Sequence, residues 1–147
     1  MILISCVDDK MGLSFNNRRQ SKDRVLTAHI IKRVGENLAW TTGYTAKMLF
    51  GNDLGRPLNW KLSNIPLRAA IDGEFCFAED IPSSEIVYAM QHHGIEAVWL
   101  YRWNRSYPGD NFFPLDMTAP PWKKVSETEL KGHSHPSILE EIYEAVC

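Results

Sequence analysis

Two stretches of the chain are almost unbroken apolar runs: Ile2-Leu3-Ile4-Ser5-Cys6-Val7 at the start and Ile95 to Trp103 further on. Runs of this length suit strands covered on both faces, so both are predicted as inner strands of a parallel or mixed sheet. Phe75-Cys76-Phe77-Ala78 predicts a short aromatic strand. Asn37 to Thr41 predicts another, and Trp122 to Val125, extending to Glu127, a weaker one. Between them the spacing turns helical. Val25, Leu26, Ala28, Ile30 and Ile31 recur on a helix with Ser21 as N-cap, Asp23 in the first turn and Gly35 as the stop. Thr42 caps a short helix, Tyr44 to Phe50, that Gly51 ends. Pro82 and two serines open a third helix, through Ile86, Val87, Ala89 and Met90 to Gly94. The stretch from Asn52 to Asp72 reads as loop with one helical turn around Leu67 to Ile71. Ser134-His135-Pro136 reads as a cap followed by an early helical proline, which places a last helix on Ile138 to Val146.

Strands thus alternate with helices along most of the chain. That order predicts a single α/β domain over residues 1–147, three-layered, with a mostly parallel or mixed sheet and helices on both faces. The 147 residues, 44% hydrophobic and 23% charged, are enough to bury a full core. A net charge of −2 gives no global attraction to nucleic acid or anionic membrane, so any such contact must come from a local patch. No run approaches the roughly 18 apolar residues of a membrane span. The apolar opening runs directly into Asp8-Asp9-Lys10 and reads as a strand rather than a secretion signal. Cys6, Cys76 and Cys147 are odd in number and far apart, which predicts reduced thiols, a cytoplasmic home and no metal site.

Candidate chemistry gathers in three places. Asp23, at a helix start beside Arg18, Arg19 and Arg24, can grip a donor-rich edge of a heterocycle while the arginines take a phosphate or carboxylate. The plain alternative is a first-turn acid among solvated arginines. His133 and His135 could act as acid and base, or pack a loop. Trp99, Tyr101, Trp103, Tyr107, Phe112 and Phe113, interleaved with Arg102 and Arg105, could stack on single-stranded bases or simply fill a core. Cys76, mid-strand among aromatics, is no nucleophile. His92-His93 ends a helix and suits its dipole.

Read in order, these segments resemble the dihydrofolate reductase fold. The first strand, the loop Val7-Asp8-Asp9-Lys10-Met11-Gly12-Leu13 and the Asn16-Asn17 turn are similar to that family's opening, where a mobile loop follows the strand beside the pterin site. Asp23 falls where the family keeps its pterin-gripping carboxylate. Thr41-Thr42-Gly43-Tyr44 is similar to the turn leading into the family's next helix. Most specific is Gly109-Asp110-Asn111-Phe112-Phe113-Pro114, which looks like the family's Gly-Asp-x-x-Phe-Pro segment and is followed by Trp122. The resemblance implies a cleft in which Asp23 meets Met11, Leu13 and Tyr44. It does not carry the nicotinamide cofactor. Where the family has a glycine pair whose amides approach the pyrophosphate, this chain has Glu79-Asp80-Ile81-Pro82, which repel and obstruct it. The middle of the chain is also shorter, and a helix stands at the C-terminus where the family would have a strand.

The opening and Trp103-Asn104-Arg105-Ser106-Tyr107-Pro108 also resemble a small bacterial family, some of whose members are labelled ribonuclease Z. That activity needs a His-x-His-x-Asp-His run, and His133-Ser134-His135 lacks the rest of it. The expected function is therefore binding of, or non-reductive chemistry on, a pterin- or nucleotide-like small molecule without a cofactor, through Asp23, Met11, Leu13, Arg18, Arg19 and Tyr44. The alternatives are an RNA-binding protein or ribonuclease using Trp103, Arg105, His133 and His135, and a partner-binding module without chemistry. Asp23→Asn is expected to weaken ligand binding and to shift the melting temperature by only a few degrees.

Overall fold

The computed structural model describes residues 1–146, with Asp53 described by its backbone alone, so Cys147 lies outside the described residues. The elements run β1 (Ile2–Val7), β2 (Gly12–Phe15), β3 (Arg18–Arg19), α1 (Arg24–Val34), β4 (Ala39–Thr41), α2 (Gly43–Phe50) and β5 (Trp60–Leu62). They continue with α3 (Pro66–Ala69), β6 (Phe75–Phe77), α4 (Ser83–His92), β7 (Ala97–Arg102), β8 (Asn111–Phe112), β9 (Trp122–Leu130) and β10 (Ile138–Ala145). Seven strands form one mixed sheet in the order β5-β4-β6-β1-β7-β10-β9. Its first five members are parallel, and β10 runs antiparallel to both β7 and β9. A second, small sheet, β3-β2-β8, carries the loop after β1.

β1 and β7 are inner strands, as their continuous apolar runs require. Alternate residues of β1 serve opposite faces. Ile4 and Cys6 pack with Leu26, Ile30 and Val34 of α1, while Leu3 and Val7 pack on the other side with Leu67 next to Ile86 and Ala89 of α4. Helices therefore cover both faces. Trp60, Tyr101 and Trp103 are fully buried on the α1 side. Cys6 and Cys76 are free, buried thiols, and burial pushes both well up from the ordinary thiol range. Among the described residues no helix is long and apolar enough to cross a membrane.

Several elements depart from the sequence reading, beginning with the polar stretch from Asp8 to Gln20, which holds the short strands β2 and β3 and not only loop. The N-cap of α1 is Asp23 and not Ser21, with the Asp23 side chain accepting from the Val25 and Leu26 amides. The stretch from Asn52 to Asp72 holds a strand, β5, and its helical turn begins at Pro66. The largest departure is the C-terminal segment, which is the strand β10 and not a helix. Glu140 and Glu141 fall within this strand, and both are buried in the sheet. Glu140 accepts from Tyr101 Oη at 2.8 Å and meets His29 Nε2 at 2.6 Å. Glu141 is held by Arg102 at 2.6 Å and Lys124 at 2.7 Å. Cations and a phenol from other elements make the acids compatible with an inner strand.

Candidate functional site

Asp23 starts α1 in extended backbone, with φ −151° and ψ 123°. Its Oδ1 accepts from the amides of Val25 at 2.9 Å and Leu26 at 3.1 Å, the ordinary service of an N-cap. It does more than that. The loop between β9 and β10 folds over it, and the backbone amides of His133, Ser134 and His135 donate to Oδ2 at 2.9, 2.8 and 3.1 Å. The loop comes so close that a Cβ on Gly132 would stand 2.6 Å from Oδ2 and 2.7 Å from the His135 carbonyl oxygen, so only glycine fits there. Burial alone would raise the Asp23 carboxyl, but hydrogen bonds from His133, Leu26, His135 and Ser134 outweigh it and hold the group well below the ordinary range. The Asp23→Asn expectation is thereby revised: the carboxylate fastens a loop to a helix.

His135 continues the arrangement. Its Nδ1 lies 3.2 Å from Asp23 Oδ2, and its Nε2 lies 3.0 Å from Ser21 Oγ and 2.9 Å from Tyr107 Oη. Carboxylate, imidazole and hydroxyl stand in the order that activates a nucleophile in hydrolases. Here the ring is 2% exposed and stacked at 4.6 Å on Trp103, and two hydroxyls share one nitrogen. Sealed in this way, the line works as a clasp joining α1, the segment after β7 and the β9–β10 loop.

The remaining candidates separate. Asp23 does line a cleft, of about 530 Å³, but with Lys22, Arg24, Thr27, Ala28, Ile31, Met48, Leu49, His133 and Ser134. Met11 and Leu13 are not part of it. They pack into the core on the α4 side of the sheet. Arg18 and Tyr44 line a second cleft with Asn16, Asn17, Lys47 and Met48, so Met48 stands at the junction of the two. Trp103 is 1% exposed and offers no face to a nucleic-acid base, and His135 is equally enclosed. Arg105 is exposed and donates to the Ser134 carbonyl at 3.2 Å, while His133 stays at the surface on the rim of the first cleft. Among the described residues no cluster of three His, Cys, Asp or Glu could hold a metal ion.

Arg19 has turned inward. Its side chain, 4% exposed, meets the 1% exposed side chain of Glu79 at 3.1 Å between Nη2 and Oε1. The contact is poorly aligned: Arg19 Nε and Nη1 and both Glu79 oxygens lack a hydrogen bond. Burial pushes the Glu79 carboxyl up to about 7, with Arg19 restraining the rise and Asp80 adding to it. Asp80, next in the chain, is satisfied by the Thr42 and Thr45 hydroxyls at 2.9 and 2.8 Å. In the sequence Glu79 was visible only as an obstacle to pyrophosphate. Its burial could not be seen there, because the cation it meets lies 60 residues away in a polar loop.

No protein-family model matches the chain, and no curated protein matches it.

Proposed function

We propose that this is a cytosolic protein that binds a pterin- or nucleotide-like small molecule in the cleft between α1 and α2, on a diverged dihydrofolate reductase-like fold. The observation that carries this reading is the composition of the cleft. Thr27, Ala28 and Ile31 of α1 and Met48 and Leu49 of α2 line it and make a largely apolar floor, suited to a flat ring system. Lys22 and Arg24 stand on its rim, and Arg18 and Lys47 extend the positive edge past Met48. None of these four cations has an ion pair among the described residues. On a chain of net charge −2 that is a local concentration of unspent positive charge, suited to a ligand with an apolar body and an anionic tail.

The fold reading draws support from β10, a strand where the family would have one, and from β8 within the Gly109–Pro114 segment, which pairs with β2. The same geometry argues against nicotinamide chemistry. The place of the family's glycine pair is taken by a buried Glu79 and by an Asp80 engaged with Thr42 and Thr45. With Trp103 and His135 buried, the RNA reading loses two of its four named contact residues.

The test is thermal-shift screening of pterins, nucleotides and related heterocycles, followed by calorimetry on hits. Ala28→Trp fills the cleft from an exposed helix position, and Lys22→Glu with Arg24→Glu reverses its rim. A ligand of the cleft should lose binding to the first variant and weaken at least tenfold with the second. A hit that binds Ala28→Trp as tightly as wild type sinks the assignment.

A further inference from the structure

The parallel strands β4, β6 and β1 end side by side, and ligands of open α/β sheets gather outside such carboxyl ends. Nearly every polar group there is spoken for. Ser5 Oγ donates to the Ala78 carbonyl at 2.7 Å, Thr41 Oγ1 donates to the Phe77 carbonyl at 2.9 Å, and Asp80 takes the Thr42 and Thr45 hydroxyls. Glu79 is the exception. It is enclosed and raised in pKa, and neither oxygen is met in good hydrogen-bond geometry. The cation against it comes from a lightly held place. Arg19 sits on a two-residue strand paired only through Ser14↔Arg19 and Phe15↔Arg18. The turn before it, Asn16-Asn17, is exposed, with φ of 51° and 61°.

We propose that Glu79 is the anchor of a second binding site, separate from the α1–α2 cleft, for a small planar cation of the amidinium or guanidinium class, and that the Arg19 side chain occupies this site as a displaceable stand-in. The chemistry follows from the poor fit of the resident group. A carboxylate offers two oxygens that a planar N–C–N fork can meet with two parallel hydrogen bonds. Arg19, tethered to its strand, meets the carboxylate off line, at 3.1 Å between Nη2 and Oε1, and leaves its own Nε and Nη1 buried without acceptors. A free cation is not tethered and can align with both oxygens. Displaced Arg19 regains water for three N–H groups that lack acceptors now. Exchange therefore replaces a misaligned pairing with an aligned one and relieves buried donors as well. Neither Glu79 nor Arg19 lines the α1–α2 cleft, so this site stands or falls independently of the function proposed above.

The experiment titrates benzamidine and methylguanidine, with n-butylammonium as a non-planar control, into wild type, Arg19→Ala and Glu79→Gln. Binding is read by calorimetry and by hydrogen exchange of residues 14–20. The expected result is saturable binding to wild type with faster exchange of that segment. Binding should be at least tenfold tighter in Arg19→Ala and lost in Glu79→Gln, and butylammonium at least tenfold weaker throughout. If Arg19→Ala does not fold, Arg19→Met retains the buried stem and serves the same comparison. Binding to the Arg19 variants with none to wild type would overturn the proposal, because Arg19 would then be a fixed structural cation. Equal affinity for Glu79→Gln would overturn it too.

Discussion

Asp23 and Glu79 are both acids with almost no exposure, at 2% and 1%, yet the molecule treats them in opposite ways. Asp23 is surrounded by donors. Five backbone amides, a hydroxyl and an imidazole approach its two oxygens, and its carboxyl is held low. Glu79 has one misaligned guanidinium, and its carboxyl is pushed up to about 7. Glu79 lies deeper than Asp23 and loses more solvation, and its surroundings also return less. Glu140 and Glu141 follow the Asp23 pattern, each with close donors. A fully supplied acid is a fastening. An under-supplied one is where the structure is incomplete, and that is the position from which binding can be gained.

The largest effect expected from this contrast is on Asp23. Asp23→Ala removes the α1 cap and strands the amides of His133, Ser134 and His135, which the loop cannot turn back to water without leaving α1. Loss of a cap with several charge-assisted bonds should cost about 3–5 kcal/mol. Urea denaturation checks it, and a loss below about 1 kcal/mol would dissolve the distinction between the two acids.

Next comes the pH dependence, where the two acids pull in opposite directions. Asp23 has a depressed folded-state pKa, so its contribution is present above its unfolded value near 4 and is lost as pH falls. Glu79 has a raised one. Between its ordinary value of 4.5 and about 7 the folded protein holds a proton that the unfolded chain releases, so stability falls as pH rises through that window. The shift corresponds to about 3 kcal/mol. The groups facing Glu79 are Arg19, Asp80 and, more weakly, Cys6. Denaturation midpoints at pH 5 and pH 8 should differ in wild type, and the difference should shrink in Glu79→Gln. An unchanged slope in that variant would remove Glu79 from the account.

A smaller effect, of opposite sign to the first, is expected when the buried pair is replaced outright. Arg19→Met with Glu79→Leu takes away two poorly matched charges and returns apolar contact, which should stabilise the protein by about 1–4 kcal/mol at neutral pH. Destabilisation by the double variant would mean that the pair is better satisfied than its geometry shows.

Much of this frame was readable from residue order, and the failures have a common physical cause. β1 and β7 are legible because burial on both faces demands continuous apolar residues. α2 and its limits are legible because Thr42 and Gly51 are local signals. β10 was hidden because Glu140 and Glu141 are met by His29, Tyr101, Arg102 and Lys124, none of them adjacent in sequence. β5 was hidden because only Trp60 of its three residues is buried. Asp23 could be read as a helix-start acid, but not as the anchor of a loop 110 residues further along. What the sequence conceals here is polar groups matched across long separations.

The smallest expected effect probes the clasp on the far side of Asp23. Ser21 Oγ and Tyr107 Oη reach the same nitrogen of His135, at 3.0 and 2.9 Å. With Nδ1 directed at Asp23, Nε2 carries the lone pair, and it can accept from only one hydroxyl at a time in good geometry. Ser21→Ala should therefore cost little, about 0.5–1 kcal/mol, because Tyr107 takes over the bond, and Tyr107→Phe should cost little for the same reason. The double variant leaves a buried imidazole nitrogen with no donor and should lose more than the sum of the two, by about 1 kcal/mol. Urea melts of the four proteins complete the cycle. Strict additivity would mean that the two hydroxyls do not substitute for one another, and the hold on His135 would then rest mainly on Asp23, Ser134 and the Trp103 ring.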